Sequence, residues 1–210
     1  MIGYDIMSEV PDFELTVTTR KGFELQEINY AMNVLDVLVA QQPAQILSHI
    51  DIINRYKVKL FVELGTYMGG GLTYVIPNLV LDQDFRYMGY EILPDTVNNK
   101  IFAFASEHPR CEIMLQDMFI PHNLSVVSAA IASTQGCVYV FCDGGDKPKE
   151  LETFSKFLRI GDIISVHDYV EDQTGETTDI DLEKLGDDFA PLDEELRKNL
   201  LWMPTFIKVK

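Results

Sequence analysis

The sequence predicts an α/β protein with a Rossmann-like, doubly wound, mainly parallel sheet, flanked by helices and ending in an antiparallel C-terminal strand. Three observations predict this. Five short apolar runs (58–64, 85–92, 111–116, 137–142 and 162–166) start 27, 26, 26 and 25 residues apart, the length of one strand, one helix and two short loops. The runs LFVEL, VYVFC and IISV are apolar on both parities, as strands covered on both faces must be. The stretches between the runs have helical periodicity, so each unit reads as a right-handed crossover between parallel strands.

The elements follow in order. Leu25, Ile28, Met32, Leu35 and Val39 recur at helical spacing, and Ile46, Ile50 and Ile53 do so again after Pro43. Both stretches are expected to be helices of an N-terminal cap over 1–56. The first sheet strand is 58–64. The helix after Gly71 should be kinked or start late, because Pro77 sits inside it. Residues 95–106 then place Val97, Ile101, Phe104 and Ala105 on one face, and 122–133 offer Leu124, Val127, Ala130 and Ile131. Asp146 is suited to cap the next helix, with Pro148 in its first turn and Leu151, Phe154 and Leu158 facing inward. After the fifth run the chain should loop over 169–178 and turn helical, and 201–210 reads as the last strand. No linker divides these parts, so one domain is expected.

Composition sets limits on function. The 210 residues include 33 acids and 17 Lys and Arg, a net charge of -16. Such a chain has no general field to hold a phosphate backbone or an anionic bilayer. Residues 171–195 hold eleven of the acids and one base, and so carry -10 of the -16. Cys111, Cys137 and Cys142 fit no zinc spacing and read as buried thiols of a reducing compartment. No apolar run approaches the roughly 18 residues of a membrane span. The expectation is a soluble, cytoplasmic protein with no nucleic-acid or membrane partner; a homodimer is left open.

In an open parallel sheet, ligands bind beyond the carboxyl ends of the strands. Those ends deliver Glu63 with a glycine-rich turn (Gly65, Gly69, Gly70, Gly71), then Glu91, Asp117 with Met118, Asp143 with Lys147, and His167 with Asp168. Glycines let a ligand approach the backbone closely, and the helix behind them favours an anionic group. Glu91, 26 residues past Gly65, is placed to accept the hydroxyls of a ribose. The first base after Gly65 is Arg86, so a pyrophosphate would find Glu63 nearby and no cation. An adenosine cofactor carrying a sulfonium and an ammonium would find suitable company.

These motifs (VELGTYMGGGLTY, MGYEI, LQDMF, FCDGGDKPKE and GDIISVHDY) resemble those of the class I S-adenosylmethionine-dependent methyltransferases over roughly residues 41–169. The similarity is greatest to the branch of cephalosporin hydroxylase-like proteins and macrocin-type sugar O-methyltransferases. It implies a cofactor-binding core over 57–169, followed by an acidic segment and last strand over 170–210. Glu63, Gly65, Thr66, Tyr67, Gly69 and Gly70 would surround the methionine part, and Glu91 would hold the ribose. Asp117 would accept from the adenine amino group with Met118 beside the ring, and Asp143 would lie near the sulfonium and the acceptor. The implied reaction is methyl transfer to a small-molecule or sugar hydroxyl. His167 is a candidate base because its reference pKa lies near neutrality, with Asp168 or Asp143 orienting it. Alternatively Asp143 and Asp168 hold Mg²⁺, which would acidify the hydroxyl. A hydroxylase or oxidoreductase on the same scaffold, and a non-catalytic cofactor-binding module, remain open as alternatives.

Overall fold

The computed structural model describes residues 13–19, 28–34, 37–39, 41, 43–66, 71–93, 97–169, 181–193 and 203–210. Strands β1 (Phe13–Thr19), β2 (Ile28–Val34) and β3 (Val37–Val39) form an antiparallel three-stranded sheet. This corrects the helix expected around Leu25 to Val39. Ile28, Tyr30, Met32 and Val34 also satisfy a period of two, and β-branched and aromatic residues fit a pleated surface. The second expected helix forms as α1 (Pro43–Tyr56).

The main sheet has seven strands: β4 (Val58–Leu64), β5 (Arg86–Tyr90), β6 (Cys111–Met114), β7 (Cys137–Cys142), β8 (Ile163–Val166), β9 (Phe189–Pro191) and β10 (Thr205–Lys208). Their order is β6-β5-β4-β7-β8-β10-β9. The pairs β4–β5, β5–β6, β4–β7 and β7–β8 are parallel, whereas β10 runs antiparallel to β8 and β9. The strand order reverses direction at β4, so β4 and β7 flank the topological switch point where such sheets bind ligands.

The helices between the strands are α2 (Gly71–Leu79), α3 (Asn99–Glu107), α4 (Pro121–Ser133) and α5 (Lys147–Phe154). Asp146 caps α5 by accepting from the Lys149 amide, as expected from sequence, and Asn98 caps α3 through the Lys100 amide. Helix α2 runs through Pro77 instead of breaking there. The proline lies in the last turn, where one lost bond is compensated by side chains. The Cys111 thiol donates to the Thr73 carbonyl at 3.7 Å. The Arg110 guanidinium donates to the carbonyls of Pro77, Val80 and Asp82 at 2.8, 3.3 and 2.8 Å. The expected helix of the acidic segment is a 3₁₀ segment, Leu182–Asp188; residues 170–180 and 194–202 lie outside the described part.

Burial on both parities of the strands gives two core layers. Ile46, Ile50 and Ile53 of α1 and Leu72, Val75 and Ile76 of α2 pack with Phe61, Tyr87, Tyr139 and Phe141 on one face. Val127 and Ile131 of α4 and Leu151 and Phe154 of α5 pack with Leu60, Val62, Leu64, Val140 and Ile164 on the other. One polar side chain is set in the first layer: His49 of α1, with Nδ1 3.0 Å from the Tyr139 hydroxyl, which is itself 2.8 Å from Ser165 Oγ. The rings of Phe61 and Phe141 meet it edge-on.

Burial, aided by the charge of His167, lowers the His49 pKa to about 3. The unfolded chain binds a proton here near pH 6.5 and the folded chain does not, so stability falls as pH drops below 6.5. Between pH 6.5 and 4.5 this amounts to roughly 3 kcal/mol. His49→Gln retains a partner for Tyr139 and cannot titrate. Urea unfolding across pH 4.5–7 should therefore give the variant a flatter acid limb than the wild type.

Candidate functional site

The site grows from a close approach of two turns. Leaving β4, Gly65 adopts φ +89°, and a Cβ there would lie 2.5 Å from Gly144 Cα and 2.6 Å from the Asp143 carbonyl. Glycine is required on both counts. The Gly65 and Thr66 amides donate to the Tyr90 carbonyl at 2.9 and 3.1 Å, which fixes the turn against β5. Gly89, inside β5, leaves room for the Thr66 methyl group. The Asp143 amide donates to the Leu64 carbonyl at 2.9 Å, and the His167 amide to the Cys142 carbonyl at 2.9 Å. The ends of β4, β7 and β8 are thus laced together.

The turn after β7 is organised by a residue the sequence reading did not single out. Glu150, 1% exposed, accepts from the amides of Gly144 and Asp146 at 3.1 and 3.3 Å. A Cβ on Gly144 would collide with that carboxylate. Burial pushes the Glu150 pKa up to about 7, against the pull of the two amides and Lys147.

Five expected residues occupy the β4, β5 and β6 part of this edge. Glu63 is buried and accepts a short hydrogen bond from the Tyr87 hydroxyl. Burial raises its carboxyl well above the usual range, with Asp143 and Glu91 adding to the effect and Tyr87 opposing it. Thr66 is buried and its hydroxyl oxygen has no partner among the described residues. Glu91 is 5% exposed and accepts from the Leu93 amide at 2.8 Å. Asp117 accepts from the Phe119 amide at 2.8 Å, and Met118 is buried beside it. Tyr67, Gly69 and Gly70 lie outside the described residues.

At the β7 and β8 ends, Asp143, His167 and Asp168 come together, with one ligand-capable atom from each within 4.8 Å of the others. His167 Nδ1 is 3.1 Å from Asp143 Oδ1 and 2.8 Å from Asp168 Oδ1. Lys147 Nζ stands 3.8 Å from Asp143 and 3.4 Å from Asp168. Asp168 holds a left-handed backbone, φ 56°, to turn its carboxylate inward. Burial disfavours the imidazolium of His167, but the two carboxylates outweigh it and raise its pKa to about 10.

Two further side chains reach this cluster from the N-terminal side. Gln41 donates its amide to Asp143 Oδ2 at 2.9 Å, and the Gln45 amide nitrogen lies 3.0 Å from His167 Nε2. Gln41 and Gln45 are 5% and 3% exposed, and Gln41 Oε1 has no partner among the described residues. Both nitrogens of His167 are therefore engaged, one by carboxylates and one by an amide.

No protein-family model and no curated protein matches the sequence. Solved structures do match. The chain is similar to CmcI without ligand, with a TM-score of 0.64 and 14% identity over 85% of this chain and 76% of that one. It is similar to CmcI with S-adenosylhomocysteine at a TM-score of 0.62 and 14% identity, covering 85% and 82% of the two chains. A candidate O-methyltransferase from Klebsiella pneumoniae gives 0.53 and 14%, covering 82% and 81%. The fold is accordingly the Rossmann-like fold shared by these structures. No described helix is long and apolar enough to cross a membrane.

Glu150 offers a test of how its turn is held. Its pKa is about 7 folded against 4.5 as a reference, so the folded state binds more protons across that window. Stability from this group falls as pH rises from 4.5 to 7, by roughly 3 kcal/mol. Glu150→Gln cannot titrate, so its stability relative to wild type should improve steadily over this range in urea titrations. A constant gap would show that the carboxyl is not held protonated.

Proposed function

We propose that the protein is an S-adenosylmethionine-dependent methyltransferase acting on a hydroxyl of a small molecule or sugar. The observation that carries this reading is the grouping of Glu63, Glu91 and Asp143 around the Gly65 turn at the switch point of a methyltransferase fold. Buried carboxylates beside a glycine turn suit a cationic adenosine cofactor and oppose a pyrophosphate. The unpartnered Thr66 hydroxyl oxygen fits a polar ligand in this turn.

The residue roles follow. Glu63, Gly65 and Thr66, with Tyr67, Gly69 and Gly70, hold the methionine part. Glu91 accepts the ribose hydroxyls, and Asp117 and Met118 receive the adenine. When bound, the cofactor supplies a methyl group already activated for displacement. The protein then has to align the acceptor and keep water out.

His167 is a poor base in this arrangement. Its Nδ1 faces Asp143 and Asp168, its Nε2 faces Gln45, and its proton is held up to about pH 10. Its role is to join Asp143 and Asp168 into one cluster. The donor set, two carboxylates and an imidazole, fits a divalent cation, so the expected pair Asp143 and Asp168 is extended by His167. A cation held there by Asp143, His167 and Asp168 would acidify a bound hydroxyl. Asp143, partly buried between the cofactor and acceptor sides, restrains the acceptor oxygen.

Calorimetry tests the reading directly. The protein should bind S-adenosylhomocysteine and not NAD; no binding of S-adenosylhomocysteine would overturn it. Glu91→Ala should weaken that binding by about 1–3 kcal/mol, through lost hydrogen bonds to the ribose. A further expectation concerns protons. The cofactor ammonium would lower the raised pKa of Glu63, so wherever Glu63 is protonated in the free chain, binding should release a proton and tighten as pH rises. Repeating the titration in buffers of different ionisation enthalpy measures that proton, and Glu63→Gln should abolish its release.

A further inference from the structure

We infer that the cluster of Asp143, His167 and Asp168 is built for a first-row transition-metal dication in preference to Mg²⁺, with Gln41 and Gln45 as its outer shell. The inference rests on the proposed reading for what the ion would do, but the ion site follows from the side chains themselves.

The spacing fits one small cation. Metal–ligand bonds of about 2.0–2.2 Å put neighbouring octahedral donors about 3 Å apart. His167 Nδ1 lies 3.1 Å from Asp143 Oδ1 and 2.8 Å from Asp168 Oδ1. An ion can therefore replace the proton shared by these atoms with little movement of the chain. The donor types select the ion. Mg²⁺ binds through oxygen and keeps much of its water, whereas an imidazole nitrogen favours the first-row metals, of which Mn²⁺ is the weakest binder and so the strictest test.

The surroundings resemble those of a metal-ligating histidine, whose second nitrogen is held by a polar partner. Here Gln45 takes that place at 3.0 Å from Nε2; turning its amide presents the oxygen to an Nε2 proton. Gln41 secures the second oxygen of Asp143 at 2.9 Å. An independent observation also points to a ligand. Gln41 Oε1 is buried beside this carboxylate without a partner among the described residues, an acceptor suited to water carried by an ion. Lys147, 3.4 Å from Asp168 and 3.8 Å from Asp143, competes with the incoming charge.

The test is a titration of the metal-free full chain with MnCl₂ and with MgCl₂, followed by calorimetry and by the electron-spin resonance of free Mn²⁺. One Mn²⁺ should bind per chain, at least ~100-fold more tightly than Mg²⁺. His167→Glu should bring the two ions within ~10-fold of each other by replacing nitrogen with oxygen. Gln45→Leu should weaken Mn²⁺ ~10–100-fold, and Lys147→Met should tighten both ions. Mg²⁺ binding as tightly as Mn²⁺ to the wild-type chain, or no stoichiometric Mn²⁺ binding, overturns the inference whatever the variants do. Titrating S-adenosylhomocysteine in the same samples keeps the two ideas separate. Its binding without an Mn²⁺ preference refutes the metal assignment alone, and an Mn²⁺ preference without its binding refutes the methyltransferase reading alone.

Discussion

The structure depends on the contact between Gly65 and the Asp143–Gly144 peptide. Any side chain at position 65 would lie 2.5–2.7 Å from that backbone, far inside van der Waals contact. Because the two turns touch, the Asp143 carboxylate comes close enough to disfavour ionisation of Glu63. The protein answers this repulsion differently on its two sides. Toward β5 it sets the Tyr87 hydroxyl as a hydrogen-bond donor to Glu63. Toward β8 it brings His167 and Lys147 against Asp143 and Asp168.

Much of this was legible in the sequence. The main strands followed from apolar runs on both parities, because a strand between two helical layers leaves no room for alternation. The acids at the strand ends were legible for the same reason: after an unbroken apolar run, the first polar residue marks the sheet edge. The capping role of Asp146 followed from the position of Asp146 ahead of Pro148.

Other features left no local signal. β1 to β3 are obscured because Ile28 and Met32 satisfy a period of four as well as two. β9 has three residues, too short for any periodicity to show. Glu150 reads as one more acid on an exposed helix, and its burial is a consequence of the glycine turn beneath it. Gln41 and Gln45 are missed because glutamine carries no chemical signature of its own. Their meaning comes from partners 102 and 122 residues away.

That separation bears on how the molecule assembles. Long-range contacts are made late, after the entropy of closing the intervening loop has been overcome. During synthesis α1 emerges well before β7 and β8, and its Gln45, with Gln41 just ahead of the helix, finds its partner only when most of the sheet exists. The polar cluster is thus completed by the docking of an early helix onto a late edge. A chain whose sheet has formed but whose first helix has not yet settled would be compact, with native strands, and still lack an organised Asp143–His167 pair.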